Sequence, residues 1–328
     1  MPVWLVIAFA LLFEFANGWT DAPNSIATVV STRVMRPFHA VAMAAVLNLV
    51  GALVVGTAVA ETISEGIVKP GAVSPETVAA AVLAAAVWAM TAQAFSLPSS
   101  ESHALVAGLL GAGFAAGGFD ALEWSGTSKV VYSLFLSPPI AFLSGFLLMV
   151  LIYRLFRRAR PSTVRRTFGP GQMLSAAFMA FSHGANDAQK AMGVITLALF
   201  LGGEQGHLRV PLWVILTCGL VMGVGTSIGG WRVIRTLGLR MTKLEPVNGF
   251  AAETSAALII TGAAQFGIPL STTHVIGSSI MGVGATRRLS AVRWGVAGQI
   301  VAAWVLTWPG CMILGYALGS LFRALFSG

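Results

Sequence analysis

Apolar stretches of about 18 residues or more, each long enough to cross the hydrocarbon core of a bilayer, recur from end to end of this chain. Val41 to Ala60, Val130 to Leu151, Leu212 to Gly229 and Trp294 to Gly315 are examples. The 328 residues are 56% hydrophobic and 10% charged, with a mean hydropathy of +0.82. A soluble domain, in which about a quarter of residues are charged, could not hide so much apolar surface. The bilayer is therefore the solvent, and continuous apolar runs point to an all-α polytopic membrane protein. The first segment, Met1 to Phe15, lacks a basic flank and a small-residue cleavage site, so it reads as a retained helix rather than a leader. Cys218 and Cys311 lie inside apolar runs and read as small packing residues.

The formal charge of +8 does not indicate a nucleic acid partner, because the arginines sit in short loops between apolar spans. Arg33 and Arg36 form one cluster, and Arg154, Arg157, Arg158, Arg160, Arg165 and Arg166 a second. Arg232, Arg235, Arg240 and Lys243 form a third, and Arg287, Arg288 and Arg293 a fourth. The positive-inside rule assigns all four to the cytoplasm. The loops at Glu61 to Glu76, Asp120 to Lys129 and Glu204 to Arg209 then lie outside, and both termini are expected on the outer, periplasmic side of a cell inner membrane. Residues 1–33, 39–62 and 131–153 are expected to cross in the first half, and 172–203, 210–230 and 294–323 in the second.

Between these crossings lie two segments interrupted by a proline, Val78 to Gly118 around Pro98 and Gly249 to Gly284 around Pro269. Their halves read as too short to span, so each is expected to form a re-entrant helical hairpin, dipping to the midplane from opposite faces. The expected fold is two inverted-topology repeats with broken helices: a first repeat over 1–153, an Arg-rich cytoplasmic linker over 154–171 and a second repeat over 172–328.

Internal similarity supports the division. Phe15-Ala16-Asn17-Gly18-Trp19-Thr20-Asp21-Ala22-Pro23-Asn24 aligns without a gap with Phe181-Ser182-His183-Gly184-Ala185-Asn186-Asp187-Ala188-Gln189-Lys190. Leu97-Pro98-Ser99-Ser100-Glu101-Ser102-His103 aligns with Ile268-Pro269-Leu270-Ser271-Thr272-Thr273-His274. A carboxylate at membrane depth is expensive and marks function. Here Asp21 and Asp187 stand in matching places beside glycines, where the helices are expected to break. At each hairpin tip a new half-helix would present free N–H groups and the positive end of its dipole. Ser99, Ser100, Ser102, Ser271, Thr272 and Thr273 add hydroxyls suited to a tetrahedral oxyanion. Such an anion beside two carboxylates is repelled unless positive charge accompanies it, so sodium, protons or a divalent metal already bound to the anion must travel too. No resident cofactor is called for.

These paired segments resemble the signatures of the PiT family of inorganic phosphate transporters, from about residue 10 to residue 285. The resemblance implies a symporter that imports inorganic phosphate with sodium or protons, rather than an enzyme. Its site would be formed by Asp21, Asn24, Asn186, Asp187 and the tip hydroxyls, with sodium near Asp21, Asn24, Asn186 and Asp187. The short, loop-poor chain is similar to bacterial members, which implies proton coupling and neutral metal–phosphate cargo. Thr20 stands where the family often has asparagine, Lys190 where the second motif often ends in asparagine, and Glu101 where a small hydroxyl residue is usual. Lys190 either replaces a bound cation, pairs with Asp187 or snorkels to an interface. Glu101 and Glu253 either bind a proton or metal or are structural acids. Asn48 is either a ligand or an amide that joins helices.

His103, His183 and His274 have proton-relay chemistry or simply fix their surroundings by hydrogen bonds. A cation exchanger built on the paired acids is the alternative transport reading. A hydrolase using Ser99 or Ser271 with His103 or His274 is disfavoured, because each pair shares one half-helix and no separate oxyanion element is evident. The sequence leaves a homo-oligomer open.

Overall fold

With no water available to backbone groups in hydrocarbon, each apolar stretch closes its hydrogen bonds internally as a helix. In the computed structural model, which describes residues 1–326, the elements come in two similar sets of six. The first set is α1 (Val3–Ser31), α2 (Pro37–Val54), short α3 (Ala58–Glu65), α4 (Pro75–Ala94), α5 (Glu101–Gly117) and α6 (Trp124–Leu155). The second is α7 (Pro161–Leu201), α8 (Leu212–Ile228), short α9 (Trp231–Arg235) with a π-helical turn over Thr236–Arg240, α10 (Pro246–Gln265), α11 (Thr272–Ala285) and α12 (Trp294–Phe326). Residues 327 and 328, assigned above to the second repeat, lie outside the described residues. Among the described residues six helices are long and apolar enough to span a membrane, seven when α8 and the 231–240 segment, bent by 62°, count as one span. The protein is thus a multi-pass membrane protein. The C-terminal half of α7 is screened from lipid, since every side chain from Ser182 to Leu199 is buried.

The two hairpins turn in the same way. Helix α4 ends with Ser96 at φ 61° and α10 with Gly267 at φ 65°. In each elbow the next amide reaches back to close the helix end, Leu97 N–H to Ala92 O and Ile268 N–H to Ala263 O. Ser100 and Ser271 then cap α5 and α11, accepting from the His103 and His274 amides. The left-handed turn suits glycine; the first half achieves it with serine.

Along α6 and α12 the hairpins meet tip to tip. Ser133 of α6 donates to Pro269 O, while further along Ser279 donates to Ala141 O and Gly145 lies against Ser279. On α12, Trp304 donates to Pro98 O, and Gly315 then packs on Gly108 and Gly319 on Ala112. Helix α6 thus runs along the second hairpin and α12 along the first. The arms are nevertheless longer than expected. At 20 and 17 residues, α4 and α5 would rise about 30 and 25 Å, so neither is too short to span, and what distinguishes their hairpin is its contact with the opposite tip.

Three further expectations are corrected. Helices α1 and α7 run through Asp21 and Asp187 without a break, with Pro23 inside α1. Proline removes one backbone bond, whereas a break in an apolar interior would orphan several groups at several kcal/mol each. The Arg-rich stretch at 154–171 is mostly helical, because α6 runs to Leu155 and α7 begins at Pro161. The crossing expected over 39–62 is interrupted by Gly56 at φ 97°, whereas the one over 210–230 forms as α8 and ends at Gly229 at φ 71°. The short helices that follow brace the hairpin elbows: Thr62 of α3 donates to Gly267 O at 2.7 Å, and Arg232 of α9 to Ala94 O at 2.8 Å.

Charge separates along the molecule. Thr32, Arg165 and Glu245 line one groove of about 520 Å³, Arg287 pairs with Glu245 at 2.8 Å, and the Arg293 amide donates to Met241 O. These contacts gather the basic clusters at one end. At the other end the Met1 ammonium meets Glu76, Val68 pairs with Leu122, Gly202 lies against Val3, and Arg323 reaches Ala115 O and Ala116 O.

Candidate functional site

Helices α1 and α7 present their aspartates to the second hairpin tip. Thr273 Oγ1 donates to Asp21 Oδ1 at 3.0 Å, and Thr272 Oγ1 donates to Asp187 Oδ2 at 3.1 Å. Asn24 Nδ2 donates to both hydroxyls, at 2.9 Å to Thr273 and 3.3 Å to Thr272. Asn186 clamps the same tip: its Nδ2 donates to Leu270 O at 3.1 Å and to Asp187 Oδ1 at 2.6 Å, while its Oδ1 accepts from the Leu270 amide. Ser102, from the first tip, closes the junction by donating to Leu270 O at 2.7 Å. Asp21, Asn24, Asn186, Asp187 and the six tip hydroxyls are at most 6% exposed, so this conformation is occluded.

Lys190 is also buried, with Nζ 3.0 Å from Asp187 Oδ2. It does not snorkel, and it does not do what its counterpart does. Asn24 reaches a hairpin tip, whereas Lys190 turns to the aspartate on its own helix. His183 Nε2 lies 3.4 Å from the same oxygen, its Nδ1 faces Asn48 Oδ1 at 3.1 Å, and Asn48 in turn donates to Thr226. Asp21, His183 and Asp187 each offer a ligand atom within 4.8 Å of the others, a set that could hold a cation. Glu101 joins from the first tip. Thr20, the residue before Asp21, donates to its Oε1 at 2.7 Å, and Ser99 does so at 3.4 Å. Three buried carboxyl groups thus face one ammonium.

Ser100 and Ser271 act as helix caps, and Ser100 Oγ also bonds His103 Nδ1 at 2.6 Å. His103 and His274 stand with ring centroids 4.3 Å apart, and His274 stacks on Trp304 at 3.9 Å. They line a separate cavity of about 200 Å³ with Phe135, Val301, Val305 and Trp308. Glu253 lies elsewhere on α10, receiving hydrogen bonds from Thr28, Ser175 and Gln172. The structure therefore assembles the aspartates, Asn24, Asn186, Thr272, Thr273, Lys190 and Glu101, and leaves Glu253 and the two tip histidines apart from them.

The sequence matches the phosphate transporter family over residues 17–315. The chain belongs to that family. A probable low-affinity inorganic phosphate transporter of Rhizobium meliloti (strain 1021) is 47% identical over 310 residues, covering 94% of this chain and 93% of that protein. One from Bacillus subtilis (strain 168), likewise described, is 44% identical and covers 98% and 97%. A solved structure described as the sodium-dependent phosphate transporter superposes with a TM-score of 0.91 at 24% identity over 99% of both chains, a likeness of fold. This member of the PiT family is accordingly a phosphate transporter and not an enzyme, with phosphate as its substrate.

Some side chains of this phosphate transporter were not singled out by its motifs. Thr28, Ser175 and Gln172 converge on Glu253 only because α1 and α7 both pass α10. Glu14, fully buried on α1, has one oxygen without a hydrogen-bond partner and the other 3.4 Å from Asn17 Nδ2. Its signal was available: Glu14, Asn17 and Asp21 recur at the three- and four-residue spacing of one helical face.

Proposed function

We propose that the chain is a secondary active symporter that imports inorganic phosphate together with a cation through the occluded junction of α1, α7 and the two hairpin tips. The observation that carries this reading is the direct bonding of Thr273 to Asp21 and of Thr272 to Asp187. Those hydroxyls sit in the first turn of α11, beside free backbone N–H groups and the positive helix end, where an anion is stabilised. A phosphate in that place would be shared by Asp21, Asn24, Asn186, Asp187 and the hydroxyls of Ser99, Ser100, Ser102, Ser271, Thr272 and Thr273.

The same groups exclude phosphate alone. Buried Asp21, Asp187 and Glu101 tolerate one another only with protons or cations among them, and a phosphate anion adds to the repulsion. The coupling ion is a proton or sodium, held by Asp21, Asn24, Asn186 and Asp187, and a divalent metal entering with phosphate as a neutral complex would meet the same need. Cargo anion and cation then raise each other's affinity. The two sets of six helices act as inverted-topology repeats, with the basic end in the cytoplasm, both termini outside and the bacterial inner membrane as their setting.

Phosphate uptake into proteoliposomes under separately imposed proton and sodium gradients tests the reading. Either or both gradients should drive uptake, and Asp21→Asn and Asp187→Asn should abolish it. Normal transport by both variants would remove these residues from the site. The Asp21, His183 and Asp187 cluster favours a second reading, a cation exchanger. Such an exchanger would move labelled cation without any response to added phosphate.

A further inference from the structure

Helices α1 and α7 run antiparallel: Val3 lies against Gly202 at one end, and Asp21 approaches Asp187 near the middle. From the aspartate pair toward the Gly202 end, Lys190 is displaced along α7 by about 4.5 Å and Glu14 along α1 by about 10.5 Å, at 1.5 Å per residue. The axial gap of about 6 Å between them is one that the flexible four-carbon stem of Lys190 and the side chain of Glu14, reaching across the α1–α7 seam, can close together.

The ammonium is under-used where it stands. Asp187 Oδ2 already receives Thr272 and faces His183, and Lys190 Nζ makes no hydrogen bond of good geometry beyond its ion contact. On the far side, Glu14 Oε1 and Asn17 Oδ1 are buried acceptors with no donor. A carboxylate in an apolar interior demands a proton or a positive charge. A cargo cation arriving among Asp21, His183 and Asp187 would meet the ammonium as a like charge a few ångströms away, in a medium that screens it poorly.

We propose that Glu14, with Asn17, is a second seat for the Lys190 ammonium, which rests on Asp187 in the conformation described and moves to Glu14 when Asp187 takes up the cargo cation. Lysine suits this role because its charge rides on four rotatable bonds, so α1 and α7 need not move. The side chain acts as a tethered cation: it neutralises Asp187 when the site is empty and gives way when cargo arrives. Glu14 is a positioning residue that acts through Lys190 and does not touch cargo. The proposal rests on Asp187 being part of the cargo site.

The test is a double-mutant cycle in proteoliposomes, measuring uptake of labelled inorganic phosphate with sodium and an inward proton gradient both present. Glu14→Gln removes the second seat and should raise the KM for phosphate about tenfold or more while kcat changes less than about twofold. In a Lys190→Gln background the same substitution should change KM by less than about twofold, because no ammonium needs a seat. Glu14→Asp, which keeps the charge, should restore KM to within about threefold of the parent. Equal KM increases in both backgrounds, or none in the parent, would overturn the proposal. If Glu14→Gln alone does not yield folded transporter, a folded Glu14→Gln/Lys190→Gln double variant supports the pairing and an unfolded one refutes it. Normal transport by Asp187→Asn would instead sink the site assignment on which the proposal rests, a distinguishable result.

Discussion

Replacing Thr273 with valine tests the site with the least disturbance to packing, since valine keeps the β-branched shape and removes only the hydroxyl. That hydroxyl donates to Asp21 Oδ1 at 3.0 Å and accepts from Asn24 Nδ2 at 2.9 Å, in a residue 1% exposed. A hydrogen bond to a charged acceptor contributes about 1.5–3 kcal/mol. Asn24 would keep its contact with Thr272 at 3.3 Å, so its donor is weakened rather than orphaned. In the proposed cargo-bound site the same hydroxyl donates to the phosphate, so its removal costs about 2 kcal/mol of binding, a factor of about 30 in affinity. Phosphate uptake into proteoliposomes should therefore show a KM about 30-fold above that of the parent, with the purified variant still monodisperse and Thr273→Ser near the parent. A Thr273→Val variant within about twofold of the parent KM would refute the claim that the α11 tip hydroxyls bind the cargo.

Gly184 lies so close to the Asn48 backbone that any Cβ would collide with it. Gly184→Ala should separate α2 from α7 and lower stability by about 1–3 kcal/mol, read as a drop in unfolding temperature in detergent. Gly169→Ala, where a Cβ meets open space on the same helix, should leave that temperature unchanged or slightly higher. At Glu253, alanine would strip acceptors from Thr28, Ser175 and Gln172, costing about 3 kcal/mol or more, whereas Glu253→Gln should cost about half as much. Equal unfolding temperatures for the two Glu253 variants would show that the three donors find other partners.

Much of this protein is legible in one dimension because its constraints are local. The bilayer requires long apolar runs, and an intramembrane Asp21 or Asp187 is conspicuous against that background. The hairpin signatures around Pro98 and Pro269 mark their elbows, and the matching turns at Ser96 and Gly267 follow from the same spacing. The basic clusters gather at one end because charged loops cannot be left in hydrocarbon.

Pairing between distant segments was not legible. Sequence spacing suggested breaks at Asp21 and Asp187; the apolar interior kept both helices whole, since backbone bonds lost there have no water to replace them. The residue type of Lys190 left its direction open, and only the neighbourhood of α1 and α7 turned it onto Asp187 and placed Glu14 beyond it. Likewise, the repeated histidines mark both tips in sequence, yet folding stacks them against Trp304 in a cavity of their own. The sequence by itself determined the solvent, the spans and the repeated chemistry, because each depends on residues near one another in the chain. Tertiary structure decided which carboxylate faces which hydroxyl or ammonium, because charge and hydrogen-bond partners in a low-dielectric interior are selected over a few ångströms of space between residues up to 252 positions apart.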